Sequence, residues 1–237
     1  MQRTVPIVFV HGWQADRRVW REVIAALEPP LRPIAVDLRG SGERAGVPGP
    51  YTLERFAADL RDHVEELGLG PAVVAGHSMG ATVALRFAVD YPQLTRGLVL
   101  VAPVPASGGG YSPKGEAYLR ATVGDPAAVR NWLAKTFAKE PDEATLDALC
   151  EAAAATPAGA ALESFESWAF ADFAEATRSI AVPVLTIAPE LDAPENVERK
   201  VSALIPNAQH TVLAGTAHYA ILEKPREIAQ TIAAFAT

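Results

Sequence analysis

Residues 71–89 impose the strongest constraint on what this chain can fold into. Gly76-His77-Ser78-Met79-Gly80, a G-x-S-x-G motif, directly follows the short apolar run Pro71–Ala75 and opens the helical run Ala81–Val89. A serine between two glycines at a strand-to-helix turn is the setting of a nucleophile elbow. Such a turn holds the serine in strained backbone geometry, so the positions two before and two after it must lack bulk. The alternative, a glycine-rich turn with an incidental serine, explains the glycines but not their placement between a strand and a helix. An elbow also presupposes a sheet: the hydroxyl must project from a sheet edge at the start of a helix, where free N–H groups and the dipole favour developing negative charge.

The rest of the chain supplies that sheet. Thr4–Val10 is apolar on both faces, as a central parallel strand should be. Asp16 is placed to cap a helix whose Val19, Trp20, Val23, Ile24 and Leu27 share one face. Arg32–Val36 reads as a second strand and leads into the glycine-rich turn Asp37–Gly42. Thr52 can cap a further helix that buries Leu53, Phe56, Ala57, Leu60, Val64 and Leu67. More strands read at Ala72–Ala75, Gly97–Val101, Val182–Ile187 and Thr211–Leu213, and a last helix starts near Glu223 and Pro225. Strands alternating with helices through right-handed crossovers give an α/β fold: a mostly parallel sheet with helices on both faces.

Residues 104–180 break the alternation. They hold a glycine-rich link, Ser107–Gly110, and then Ala-rich helical sequence with no strand pattern. A structureless loop of that length is improbable, so an inserted helical lid is expected there, with 1–103 and 181–237 as the core. Its aromatics Trp132, Phe137, Phe165, Trp168, Phe170 and Phe173 are expected mainly to pack, with one or two facing a pocket. From the position of the insertion, the Phe165–Phe173 cluster is expected to limit the length of a bound chain, and Gly108–Gly110 to act as a hinge.

Charge and composition narrow the function classes. The formal net charge of −7 comes with interspersed signs and no basic block for nucleic acid or an anionic membrane. The apolar run Val5–Val10 lacks a cleavage site and reads as a strand, and no apolar stretch approaches the ~18 residues of a spanning helix. With Cys150 the only cysteine, an intramolecular disulfide and two-cysteine metal motifs are excluded. A cytoplasmic protein acting on a small molecule, without cofactor or metal, is the expectation.

A serine hydroxyl needs a base. Of the five histidines, His77 would point away from its neighbour Ser78, His63 lies on a charged helix face, and His210 sits at the start of a late strand. His11, in the first turn, is better placed to brace the loop, which leaves His218, in the loop Gly215–His218 at the elbow's end of the sheet. A third group must set the tautomer of the base, and Glu190 and Asp192 both lie just past the strand Val182–Ile187. Two backbone amides suffice for an oxyanion hole: Met79 follows the serine, and Trp13 sits in the turn His11-Gly12-Trp13.

These motifs together resemble the α/β-hydrolase superfamily, specifically its lid-bearing, esterase-like members, over nearly the whole chain. The resemblance rests on His11-Gly12, Asp37–Gly42, Gly76–Gly80, Pro183–Asp192 and Gly215–His218 followed by Glu223-Lys224-Pro225, and on the order Ser, Asp, His. It implies Ser78, Asp192 and His218 as a catalytic triad, favouring Asp192 over Glu190, although Pro189 and Ala193 stand where the family more often has Gly and Pro. It puts Thr4–Val10 at the place of the family's third strand, which implies about six strands. The implied reaction is hydrolysis of carboxylic esters of small organic acids through an acyl-enzyme. Perhydrolase or haloperoxidase chemistry, lactone or carbon–carbon bond hydrolysis, and ligand binding on the same fold are the alternatives. Haloalkane dehalogenase-like and epoxide hydrolase-like members carry an aspartate nucleophile, and Ser78 argues against both chemistries.

Overall fold

The computed structural model describes residues 4–237. Six strands, β1 (Val5–Val10), β2 (Leu31–Val36), β3 (Ala72–His77), β4 (Thr95–Val101), β5 (Val184–Pro189) and β6 (Ala208–Leu213), form one sheet in the order β2-β1-β3-β4-β5-β6. Every neighbouring pair is parallel. The chain steps from β1 outward to β2 and then returns to place β3 on β1's other side. The resulting crevice at the carboxyl ends of β1 and β3 is where open α/β sheets bind ligands.

The two-residue period of the strands divides the interior into two cores. Val8, Val10, Val74, Leu98 and Leu100 point to one face, which is covered by α2 (Leu53–Glu66) and α3 (Met79–Asp90). Ile7, Phe9, Val73, Val99 and Val101 point to the other, packed by α1 (Arg21–Ala25) and the C-terminal helix. The α2 helix starts where Thr52 Oγ1 accepts the Arg55 amide, and it buries the expected face except for Leu67, which lies past its last turn and is exposed. The segment after Asp16 is tighter than expected: a 3₁₀ turn, Arg17–Trp20, precedes the short α1. Asp16 accepts the Arg18 amide as a cap, while the Arg17 amide is drawn to Asp37 Oδ1 at 2.8 Å.

Between β4 and β5 lie four helices, α4 (Pro113–Arg120), α5 (Pro126–Ala134), α6 (Glu143–Ala155) and α7 (Ala158–Ala169). Ser112, Asp125 and Asp142 cap the first three with side-chain oxygens on free amides. Phe165 and Trp168 of α7 join the core on the α2–α3 face, and Leu133 of α5 and Leu146 of α6 join the opposite one, so the insertion straddles the sheet. The Gly108–Gly110 link is held rather than free: the Gly109 amide donates to the Ala169 carbonyl at the end of α7 (3.0 Å).

Three further departures have local causes. Helix α8 (Pro194–Lys200), with proline in its first turn, follows Asp192 where no helix was read. Strand β6 begins at Ala208 rather than Thr211, so His210 lies inside it. The last helix, α10 (Pro225–Ala236), starts where expected, but an unexpected short helix, α9 (Ala220–Glu223), precedes it across Lys224, whose backbone comes before Pro225 and leaves the helical region.

Candidate active site

Ser78 caps α3 with φ 56° and ψ −123°, a positive-φ conformation that a non-glycine residue holds at a cost of about 1–3 kcal/mol. Tertiary contact enforces it. A Cβ on Gly76 would strike the backbone of Gly80 and Ala81, and one on Gly80 would strike the Val10 and His11 carbonyls. With both glycines bare, α3 starts flush against the end of β1, and the Ser78 amide donates across to the Val101 carbonyl at 3.0 Å.

The loop after β6 meets this turn. His218 Nε2 lies 2.9 Å from Ser78 Oγ, and His218 Nδ1 lies 2.7 Å from Asp192 Oδ2. An ionised carboxylate only accepts, so Nδ1 carries the proton and the Nε2 lone pair takes the serine hydroxyl's hydrogen bond. Burial pushes the Asp192 carboxyl up, but the His218 hydrogen bond and the nearby imidazole charge bring it below its ordinary range. Glu190, the competing carboxylate, is exposed and turned elsewhere: its Oε2 accepts the Gly215 amide at 2.7 Å and so braces the loop that carries His218.

The turn after β1 completes the wall. Gly12 packs closely against Ser78 and His77, where an added Cβ would come within 3.1 Å of the Ser78 Cβ and 3.2 Å of His77 Nδ1. Neither the Trp13 nor the Met79 amide donates to a backbone carbonyl among the described residues. The Trp13 side chain is buried and ties the insertion to the sheet, since its Nε1 donates to the Ala161 carbonyl of α7 at 2.8 Å. Its ring lies 5.4 to 5.8 Å from those of Trp132, Phe165 and Trp168.

The remaining histidines fall into distinct environments. His11 is buried, accepts the Leu38 amide on Nε2 (3.0 Å), and pairs Nδ1 with the Gly12 carbonyl (2.8 Å). Burial outweighs that carbonyl and the nearby Asp37 and Asp16, lowering its pKa, so it braces two loops as a neutral ring. His63 lies on α2, part-buried. His210 pairs Nδ1 with Thr186 Oγ1 (2.8 Å) in a cluster with Ser202, away from the serine.

Above Ser78 opens a cavity of about 320 Å³, a size typical of small-molecule sites. Of the six aromatics expected to pack or face a pocket, Trp132 and Trp168 line it, with Trp13 and Tyr219 from the core. Phe165, expected as a candidate lining residue, is instead fully buried behind the wall; Phe170 faces solvent, and Phe137 stacks on Tyr219 at 5.2 Å. Tyr111, Tyr118 and Lys135 line the cavity and were not singled out from sequence, because a rim position leaves no periodic pattern. Burial and the nearby Asp192 carboxylate push the Tyr111 hydroxyl up to about 12, which keeps it a neutral donor. Among the described residues, no group of three His, Cys, Asp or Glu side chains converges as a metal site would require.

Residues 7–231 match the model of the Alpha/beta hydrolase family. The chain belongs to that family. Among curated relatives it is 25% identical over 232 residues to a non-heme chloroperoxidase of Kitasatospora aureofaciens, covering 90% of this chain and 84% of that one. It is 36% identical over 100 residues to a soluble epoxide hydrolase of Corynebacterium sp., but that match spans only 42% of this chain and 35% of the relative. A thermophilic esterase of Thermogutta terrifontis, solved with malate bound, superimposes with TM-score 0.83 at 26% identity, covering 98% of this chain and 89% of that one. No helix among the described residues of this α/β-hydrolase is long and apolar enough to cross a membrane.

Proposed function

We propose that this α/β-hydrolase cleaves carboxylic esters of small organic acids through an acyl-enzyme formed on Ser78. The observation that carries the reading is the unbroken chain Ser78 Oγ–His218–Asp192 at the floor of the cavity. Ser78 attacks the ester carbonyl as His218 Nε2 takes its proton, and Asp192 holds the imidazolium that forms. The tetrahedral oxyanion rests on the Trp13 and Met79 amides, each worth about 3 kcal/mol of barrier. His218 then protonates the departing alcohol and activates the water that releases the acid.

The cavity volume suits acyl chains from acetyl to about hexanoyl. The Thermogutta esterase, which binds malate, adds a small organic acid to the comparison. Helices α4, α5 and α7, which line the cavity, act in this reading as a lid that roofs the site. The protein is read as cytoplasmic, with a small-molecule substrate as its partner and no cofactor.

A second reading is favoured by one observation, the chloroperoxidase likeness along nine-tenths of the chain. There hydrogen peroxide would take the place of water in attacking the acyl-enzyme, breaking the bond from the acyl carbon to Ser78 Oγ to release a peracid and restore the serine hydroxyl. A panel of nitrophenyl esters of increasing acyl length, run beside a peroxide-dependent halogenation assay, separates the two. Short-chain ester hydrolysis that exceeds peroxide-dependent turnover supports the proposal. Turnover confined to peroxide, or full ester hydrolysis by Ser78→Ala, sinks it.

A further inference from the structure

His77 occupies the variable position of the elbow and takes no part in the proton path just described. It is 1% exposed, and its Nε2 lies 2.8 Å from the backbone carbonyl of His218, the base itself. Its ring stands 5.1 Å from those of both His218 and Tyr219. Because a carbonyl only accepts, His77 Nε2 must carry the proton, and Nδ1 is left a bare lone pair. That Nδ1 is buried without a hydrogen-bond partner, a cost that an apolar ring of the same size would not carry. The uncompensated side of the ring is therefore tolerated for what the other side does.

We infer that His77 is a positioning residue: its Nε2–H fixes the His218 backbone, and so sets the base in register with the neighbouring nucleophile. This rests on the serine-hydrolase reading. The geometry gives a reason for such a device. Ser78 is anchored by the elbow, whereas His218 sits in a loop 140 residues later in the chain, and their 2.9 Å bond depends on the two being held together. The loop has other ties, Ala217 N–H to Glu223, Gly215 N–H to Glu190, Leu191 N–H to the Thr216 carbonyl and Tyr219 N–H to the Thr136 carbonyl, but none of these reaches the elbow. Only the His77 bond joins base and nucleophile through adjacent residues. The clamp does not titrate in the working range, because burial, with the adjacent His218, lowers the His77 pKa to about 3.

The test compares His77→Phe, which keeps an aromatic ring but loses the donor, with His77→Gln, which loses the ring but keeps an N–H at similar reach. A positioning role predicts that the Phe variant loses about a hundredfold in kcat with KM within a few-fold, and that Gln restores most of it. A packing role predicts the reverse order, and that order would overturn the inference, as would two variants equal to wild type. Two readouts keep this separate from the function proposed above. The rate of Ser78 labelling by a fluorophosphonate requires the base but no ester substrate, and it should fall in parallel with kcat in the Phe variant alone. The downfield Nδ1 proton resonance of His218, bonded to Asp192, should be sharp in wild type and the Gln variant and broadened in the Phe variant. A wild type that labels but cleaves no ester would count against the substrate class only. An unchanged His218 resonance in folded His77→Phe would count against the clamp.

Discussion

The elbow and the insertion touch the same cavity but are built on different principles. At the elbow, backbone does the work: Ser78 is held by its bond to the Val101 carbonyl and by two glycines with no space for a side chain, Gly80 lying against the Val10 and His11 carbonyls. The insertion is attached largely through side chains, above all Trp13, whose ring and Nε1 engage Trp132, Phe165, Trp168 and the Ala161 carbonyl. Backbone geometry is insensitive to which side chains surround it, while an aromatic wall changes shape with each substitution. On the proposed reading, the difference makes the reaction and the substrate preference separable, the first belonging to the sheet edge and the second to the helices that line the cavity.

The sharpest way to break that division lies at the elbow. Ser78→Ala and His218→Ala should each lower ester turnover by on the order of a million-fold while the fold survives, and their losses should not add. Steady-state kinetics and circular dichroism check both halves. A double variant much slower than either single one would mean the two do not act as a unit.

Asp192→Asn should cost about ten-thousandfold in kcat, since an amide can favour the wrong His218 tautomer. Glu190→Gln keeps an acceptor for the Gly215 amide at an exposed site and should change stability by less than about 0.5 kcal/mol, with kcat close to wild type. Reversed outcomes would make Glu190 the acid.

Within the insertion, two neighbours in α7 should behave differently. Phe165→Ala empties a fully buried site and should destabilise the protein by about 3–5 kcal/mol, with the acyl-length preference unchanged. Trp168→Ala opens the cavity wall and should raise the octanoyl-to-acetyl preference roughly tenfold. Denaturant titration and the ester panel read the two effects. A shift in chain length from Phe165→Ala instead would place the specificity wall one layer deeper.

The buried histidines add a pH dependence of stability. His77 and His11 are held neutral by burial, with pKa values lowered from about 6.5, His77 to about 3. Between those values the unfolded chain binds more protons than the folded one, so stability should fall as pH drops from about 6.5 toward 3. Unfolding midpoints measured across that range should fall less steeply in His77→Phe. An equal slope would mean that His77 contributes nothing to the linkage.

Much of this was legible in residue order. The elbow announced itself because a glycine-flanked serine between strand and helix has few other uses, and the α2 face because Leu53, Phe56, Leu60 and Val64 recur at helical spacing. The cavity lining was less legible. Phe165 and Trp168 look alike in sequence, and only their orientation on α7 puts one inside the wall and the other on its surface. His77 likewise read as a bystander, because its partner is a backbone carbonyl 141 residues away and a carbonyl leaves no mark in a sequence.

What the sequence determined by itself was therefore the local material: the strands and helices, the strained turn at Ser78, and a serine and a histidine with two candidate carboxylates. Hydrophobic period, capping residues and glycine placement act over a few residues, so they can be read in a line. Which carboxylate faces His218, which insertion aromatics line the cavity and which side chain bonds the His218 carbonyl were decided by the tertiary structure. They depend on where segments distant in the chain come to rest, and on which hydrogen bonds burial compels them to make.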